Sequence, residues 1–179
     1  MERNIGTDKL KDAIEALDKA AQKTGAKNLR VILCGGLAAI AYGINERVTL
    51  DIDAEIDADF GVIESLTRYI TFPAELTTDI SRWSMIDIPD GYRDRVLPFE
   101  KFNTKNIKVF LLSPLDLVIS KLRVFRDKDI QDALFLVKKF HINKLGILKA
   151  SKQSAMQSPP STEILRFKKN IKYFLTLMD

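Results

Sequence analysis

Two aspartates, two positions apart, are the residues of this chain best suited to metal chemistry. Asp51 and Asp53 lie in residues 47–56, where polar and apolar residues alternate as in a half-buried strand. On such a strand the two aspartates and Glu55 share one face, and neighbouring carboxylates bind hard divalent cations through oxygen. Aspartates on a solvated sheet face give the same pattern. The spacing alone therefore leaves both interpretations open.

A glycine pair, Gly35-Gly36, lies upstream of these aspartates. It follows a β-rich run at residues 29–34 and precedes residues 37–42, which have helix-forming composition. Glycine at a strand-to-helix junction lets backbone N–H groups approach a phosphate closely. A tight turn that simply needs glycine is the alternative. Beside a carboxylate pair, the glycines would complete the minimum equipment for moving a nucleotidyl group.

Composition excludes several other kinds of site. The 179 residues include one cysteine, Cys34, and one histidine, His141, so the chain has no internal disulfide, no His-rich metal site and no cysteine-based zinc cluster. The net charge of +4 is a weak indication of an anionic partner. The start is charged and helix-periodic, unlike a signal peptide, and no apolar run approaches the ~20 residues that span a bilayer. We expect a cytoplasmic protein without a membrane partner.

The pattern of residues predicts one α/β domain with an additional C-terminal helix. Residues 7–24 have helical periodicity, with Thr7 placed as the N-cap and Gly25 just after the end. Ser, Gln and a proline pair indicate a linker, so we divide the chain into a domain (1–150), a linker (151–161) and a basic amphipathic helix (162–179). Further strands are predicted at 83–88 and 107–112, and further helices at 60–70, from 114 and from about 129.

Several motifs together resemble a known family. The glycine pair with Leu37-Ala38, then Tyr42-Gly43, then the run from Arg47 to Asp53 resembles the signature of the minimal nucleotidyltransferase superfamily. Residues 89–95, Ser113-Pro114-Leu115-Asp116-Leu117, Lys121-Leu122 and residues 128–133 resemble a small bacterial branch related to AbiEii-type abortive-infection toxins. The resemblance implies a nucleotidyltransferase-like mixed β-sheet flanked by helices, with additional C-terminal helices, and it implies Mg²⁺ and a nucleoside triphosphate.

The resemblance also implies roles for individual residues. Asp51 and Asp53 would hold the metal, with Asp87 as the best candidate for a third carboxylate, although an aspartate before Pro89 also fits a turn. Lys121 would neutralise triphosphate charge, and its alternative is a solvated helix lysine. The nucleotide-binding residues would be Gly35, Gly36, Arg47, Thr49, Asp129 and Asp132, against a surface-strand role for Arg47 and Thr49 and an N-cap role for Asp129.

Magnesium-dependent transfer of a nucleoside monophosphate from a triphosphate to a hydroxyl or phosphate acceptor follows as the expected function. RNA, protein and small molecules are the acceptors considered. A degenerate relative that binds nucleotide, RNA or a protein partner without turnover is the alternative, with a toxin–antitoxin role resting on family analogy. The apolar stripe of the last helix must pack on something, and a homodimer or an antitoxin partner are the candidates. Its basic face fits either nucleic acid or solvent.

Overall fold

The structure, a computed structural model, describes residues 6–178, except for the side chain of residue 82. These residues divide into two compact units, one formed by residues 6–80 and 96–112 and the other by residues 81–95 and 113–178. This division differs from the predicted boundaries at 150 and 161. The predicted α/β class with a mixed sheet is confirmed.

The first unit contains the sheet and three α-helices. The sheet order is β3-β2-β1-β5-β4, in which β1 pairs parallel with β5 and antiparallel with β2, β2 pairs parallel with β3, and β4 pairs antiparallel with β5. The central position of β1 places its end, where the glycine pair begins, beside β2. The elements are α1 (Leu10–Thr24), β1 (Leu29–Leu33), α2 (Gly35–Ala41), β2 (Ile52–Ile56), α3 (Phe60–Tyr69), β3 (Ala74–Thr77), β4 (Leu97–Pro98) and β5 (Ile107–Leu111).

The first helix follows the amphipathic pattern of its sequence. Its apolar face, including Leu10, Ile14 and Leu17, is buried, and Gly25 ends the helix in the left-handed conformation with a φ of 74°. The start differs from the prediction. Residues Thr7–Lys9 form a 3₁₀ turn, and the hydroxyl of Thr7 donates to the carbonyl of Asn45 instead of capping the helix.

Two predicted strands differ from the structure. Only the second half of the segment at 47–56 forms β2, and its first half is irregular. The strand predicted at 83–88 is wrong: the backbone there is irregular, and the carbonyls of Ile86 and Ile88 accept hydrogen bonds from the side chains of Arg123 and Gln157. The short strands β3 and β4 were not predicted.

The second unit consists of four α-helices and the segment at 81–95. Ser113 caps the first of these helices as predicted, since its Oγ accepts from the N–H of Asp116. The linker predicted at 151–161 is wrong for residues 151–157, which are helical, so the connection is limited to 158–161. The final helix buries Phe167, Ile171 and Phe174 within this unit. The helices are α4 (Pro114–Val124), α5 (Asp127–Phe140), α6 (Lys144–Gln157) and α7 (Thr162–Thr176).

Among residues 6–178, every helix is too short or too polar to cross a lipid bilayer.

Candidate active site

The backbone of Gly35 is in close contact with the carboxylate of Asp53. Gly35 is the first residue of α2 and has a φ of 57°, which disfavours side chains with a Cβ. A Cβ built on this residue would overlap Oδ2 of Asp53. The two segments are fixed to each other because the N–H of Cys34 donates to the carbonyl of Asp53 at 3.0 Å. The glycine is therefore required for the approach of the carboxylate, beyond the needs of a turn.

Gly36 is packed in the same way against Thr49. A Cβ at Gly36 would lie 2.6 Å from Oγ1 of Thr49 and 3.2 Å from a terminal nitrogen of Arg47. The Thr49 hydroxyl donates to Oδ1 of Asp51 at 3.1 Å. The six predicted residues of the first unit, Gly35, Gly36, Arg47, Thr49, Asp51 and Asp53, thus form one cluster.

Glu55 has a different environment from the two aspartates. Its side chain is buried, and Oε2 accepts a hydrogen bond from the N–H of Ile80 at 3.0 Å. Asp51 and Asp53 are both half-buried. The three carboxylates predicted to share one face therefore have different contacts. Glu55 binds a neighbouring backbone segment, whereas the two aspartates lie at the glycine pair.

The donor chemistry of this cluster fits a magnesium ion. Mg²⁺ is usually held by one or two carboxylates together with substrate phosphate oxygens and water. Asp51 and Asp53 supply two carboxylates, and the guanidinium of Arg47 adds positive charge beside the glycine backbone. Within residues 6–178, no group of three or more His, Cys, Asp or Glu side chains is arranged to hold a metal ion.

Lys121, Asp129 and Asp132 form a buried cluster in the second unit. Nζ of Lys121, on α4, lies 2.8 Å from Asp132 and 3.4 Å from Asp129, both on α5. All three side chains are almost completely buried, so Lys121 is not the solvated lysine that the sequence allowed. Asp129 is the third residue of α5 rather than its N-cap, and its Oδ2 accepts from the N–H of Arg126.

Asp87 belongs to the second unit and lies on an irregular segment, since the strand predicted around it is absent. It is half-buried, and its N–H donates to Oγ of Ser158 at 2.8 Å. Its role as a metal ligand stays a prediction.

The ion pair between Arg95 and Asp116 was not predicted from the sequence, although both residues lie in the motifs quoted above. Arg95 donates to both carboxylate oxygens of Asp116 at 2.8 and 3.0 Å, and Ser113 Oγ donates to the same carboxylate at 2.6 Å. Arg95 also donates to the carbonyls of Pro89 and Asp90. The hydrogen bonds that Arg95 donates to the Asp116 carboxylate raise the pKa of Arg95 above its ordinary value, although burial opposes this shift. Arg and Asp twenty-one positions apart carry no local signal of pairing.

Comparison with known proteins identifies a family and a similar solved structure. The model of a family described as "Nucleotidyltransferase of unknown function (DUF6036)" matches residues 8–176. The crystal structure of an antigenic nucleotidyltransferase-like protein from Paracoccidioides brasiliensis is similar with a TM-score of 0.50 and 14% identity, covering 98% of this chain and 89% of that one. This similarity shows the fold alone. No curated protein matches significantly. The predicted relationship to AbiEii-type toxins is not confirmed by these comparisons.

Proposed function

The chain belongs to the family of nucleotidyltransferases of unknown function (DUF6036), and we propose that it transfers a nucleoside monophosphate from a nucleoside triphosphate to a hydroxyl or phosphate acceptor. The observation that carries this proposal is the contact between Gly35 and the carboxylate of Asp53. It joins the two parts that the reaction needs, a backbone that a phosphate can approach and a carboxylate that binds a cation.

Asp51 and Asp53 would hold Mg²⁺. When bound, the ion would neutralise charge on the phosphate oxygens and help to activate the acceptor oxygen. The hydroxyl of Thr49 occupies one oxygen of Asp51 and so restricts the rotation of that carboxylate. The carboxylate of Asp51 is in this way oriented before any ligand binds, which lowers the free-energy cost of organising the site.

The remaining residues of the first cluster would orient the phosphates. The missing side chains of Gly35 and Gly36 leave room for the Asp53 carboxylate and for Thr49, so these groups lie beside the start of α2, where the phosphates would bind. The Arg47 guanidinium next to Gly36 has a planar set of donors that suits phosphate oxygens. The acceptor oxygen would bond to the α-phosphorus as the bond to the β-phosphate breaks and pyrophosphate leaves. This exchange depends on positioning and charge, without a covalent intermediate on the protein.

Lys121 is proposed to act with Asp129 and Asp132. An ammonium group has three donors, and these carboxylates accept from two of them. The carboxylates therefore orient the lysine and hold α4 against α5. A direct contact of Lys121 with triphosphate, and nucleotide contacts of Asp129 and Asp132, stay predictions.

Label transfer from each of the four ribonucleoside triphosphates tests the proposed reaction. The triphosphates are labelled at the α-phosphate and incubated with Mg²⁺ and with bulk transfer RNA, total cell protein or small hydroxyl compounds as acceptors. We expect transfer with at least one acceptor. D51N and D53N should each lower the rate by about 10²-fold or more, because they remove a metal-binding carboxylate whose effect on the transition state is worth several kcal/mol.

D57N is the matched control, since Asp57 is exposed just after β2 and lies outside the cluster. It should retain the wild-type rate. Nucleotide binding without transfer to any acceptor class would contradict the enzymatic proposal and favour the binding-only alternative. Toxicity on expression that a neighbouring gene product relieves is the separate test of the toxin–antitoxin prediction.

A further inference from the structure

An apolar groove runs between α6 and α7 in the second unit. Its volume is about 480 Å³. Among the described residues that line it, Phe167 and Ile171 are buried, whereas Leu148 and Met156 are 46% and 75% exposed. Two accessible aliphatic side chains therefore lie beside a buried apolar floor, which gives a docking partner apolar surface to cover. A second depression of about 490 Å³ shares Lys152 and Met156 with it, and its other lining residues are polar: Asp90, Lys149, Gln153 and Gln157.

Lysines form the charged rim of this groove. Lys152 on α6 and Lys168 and Lys172 on α7 line it, and all three are exposed. Its described lining residues include no aspartate or glutamate. Within residues 6–178 none of these three lysines forms an ion pair. The groove thus combines a positively charged rim with an apolar floor.

The groove lies in the most basic part of the chain. Residues 138–179 contain nine Lys and Arg against two Asp and Glu, whereas residues 1–137 contain nineteen against twenty-two. The positive charge of the protein is therefore concentrated in the segment that forms α6 and α7. Charge of one sign around an apolar patch selects a partner of the opposite sign and speeds its approach.

We propose that this groove binds an acidic amphipathic helix of a partner protein. A helix placed between α6 and α7 would bury its apolar face on Met156 and Leu148 and direct flanking carboxylates to the lysine rim. The apolar floor disfavours a nucleic-acid strand, which is charged along its whole length. A symmetric second copy of this chain is disfavoured because it would oppose two lysine rims.

Three designed peptides of 15 residues, the length of α7, test the proposal. The first has leucines at i, i+3, i+4 and i+7 flanked by glutamates, the second has lysine in place of each glutamate, and the third is the first with its order scrambled. Binding to the full chain is measured by fluorescence anisotropy without nucleotide, so the result is independent of the proposed reaction. We expect the acidic amphipathic peptide alone to bind.

Charge-reversal variants locate the binding. The variant K152E/K168E/K172E should weaken the acidic peptide about tenfold, since each exposed ion pair changes an equilibrium constant by roughly two- to fivefold, and it should gain binding of the lysine peptide. K138E/R166E/K169E makes the same change of charge at exposed positions outside the groove lining and should bind like the wild type. L148Q/M156Q should also weaken binding, and circular dichroism checks that each variant is folded.

Several results would overturn the proposal. Equal binding of the acidic and lysine peptides, or equal weakening by the control variant, would show that the groove does not select acidic helices. Binding of an oligouridine probe that only K152E/K168E/K172E abolishes, with no acidic peptide bound, would make the surface a nucleic-acid interface. Self-association in the ultracentrifuge that the same variant abolishes would assign the groove to a second copy.

Discussion

At the residue scale, a side chain at position 35 would occupy the same space as the Asp53 carboxylate. Glycine leaves this space free for the carboxylate. G35A should lower the free energy of unfolding and strongly reduce nucleotidyl transfer, because the new methyl group overlaps the Asp53 carboxylate and the backbone has a positive φ. Urea unfolding and the label-transfer assay measure the two effects.

The chain offers a matched control in Gly25. Its φ of 74° resembles that of Gly35, but a Cβ there would meet nothing within 4 Å. G25A should therefore show only the backbone cost, about 1–2 kcal/mol, with normal transfer activity. Equal activity in G35A and G25A would contradict the role of the glycine in placing Asp53.

Much of the first cluster was predictable from the sequence, because its residues are close along the chain. Gly35 begins the helix that follows β1, and Asp53 lies on the next segment with strand-like alternation, so short connections bring them together. Spacing did not show that Thr49 holds Asp51, because that contact forms where the chain is irregular. It also did not separate Glu55, whose partner Ile80 is distant in sequence.

At the element scale, the side chain of Arg95 joins the segment at 89–95 to α4. R95M should lower the free energy of unfolding by about 2 kcal/mol, because Asp116 remains buried without its charged donors. R93M, in the same turn, is the control and should have a smaller effect. Circular dichroism during urea unfolding compares the two variants.

The pH dependence of this pair follows from the raised pKa of Arg95. A base whose pKa is raised in the folded state contributes stability at every pH below its unfolded pKa and loses that contribution only as the pH rises through the folded pKa. From about pH 6 to pH 9 the guanidinium stays charged in both states, so the contribution of Arg95 should be constant. A difference between R95M and wild type that changes across this range would contradict the assignment.

The buried cluster of Lys121 joins two elements, α4 and α5. K121M should reduce the free energy of unfolding by about 3–5 kcal/mol, because it leaves Asp129 and Asp132 buried without their cation. K128M replaces an exposed lysine on α5 and should change stability by less than about 0.5 kcal/mol. The double variant K121M/D132L should be more stable than the sum of its single changes predicts. Simple additivity in urea unfolding would show that the charges are not coupled.

Helices and strands were predicted well where the local sequence pattern is sufficient. They were predicted poorly where contacts with residues distant in sequence determine the backbone conformation. Helices α1, α3 and α4 carry their periodicity and end signals in the sequence. Residues 83–88 are β-rich, yet their carbonyls are taken by side chains of α4 and α6, so no strand forms. Ser151 and Ser154 suggested a linker, but they are buried residues of α6, where small side chains allow close packing.

At the scale of the whole molecule, the final helix is part of the second unit and not an appendage. Its residues Phe167 and Phe174 are among the most deeply buried of the described side chains, and Asn170 donates to the carbonyl of Leu122 in α4. The division predicted at residue 150 would separate these groups from their partners. A chain ending at residue 157 should therefore leave the core of this unit exposed to water and unfold without cooperativity.

F174A tests this integration without truncating the chain. Because the phenyl ring is fully buried, its removal should lower the free energy of unfolding by about 3–5 kcal/mol through lost burial and the cavity left behind. L165A on the same helix is the matched control: Leu165 is 62% exposed, so the change should cost less than about 0.5 kcal/mol. Both are measured by urea unfolding followed by circular dichroism. Equal stability of the two variants would mean that the helix contributes nothing to the core. In a packed helix, a truncation on the buried face must cost more stability than one on the exposed face.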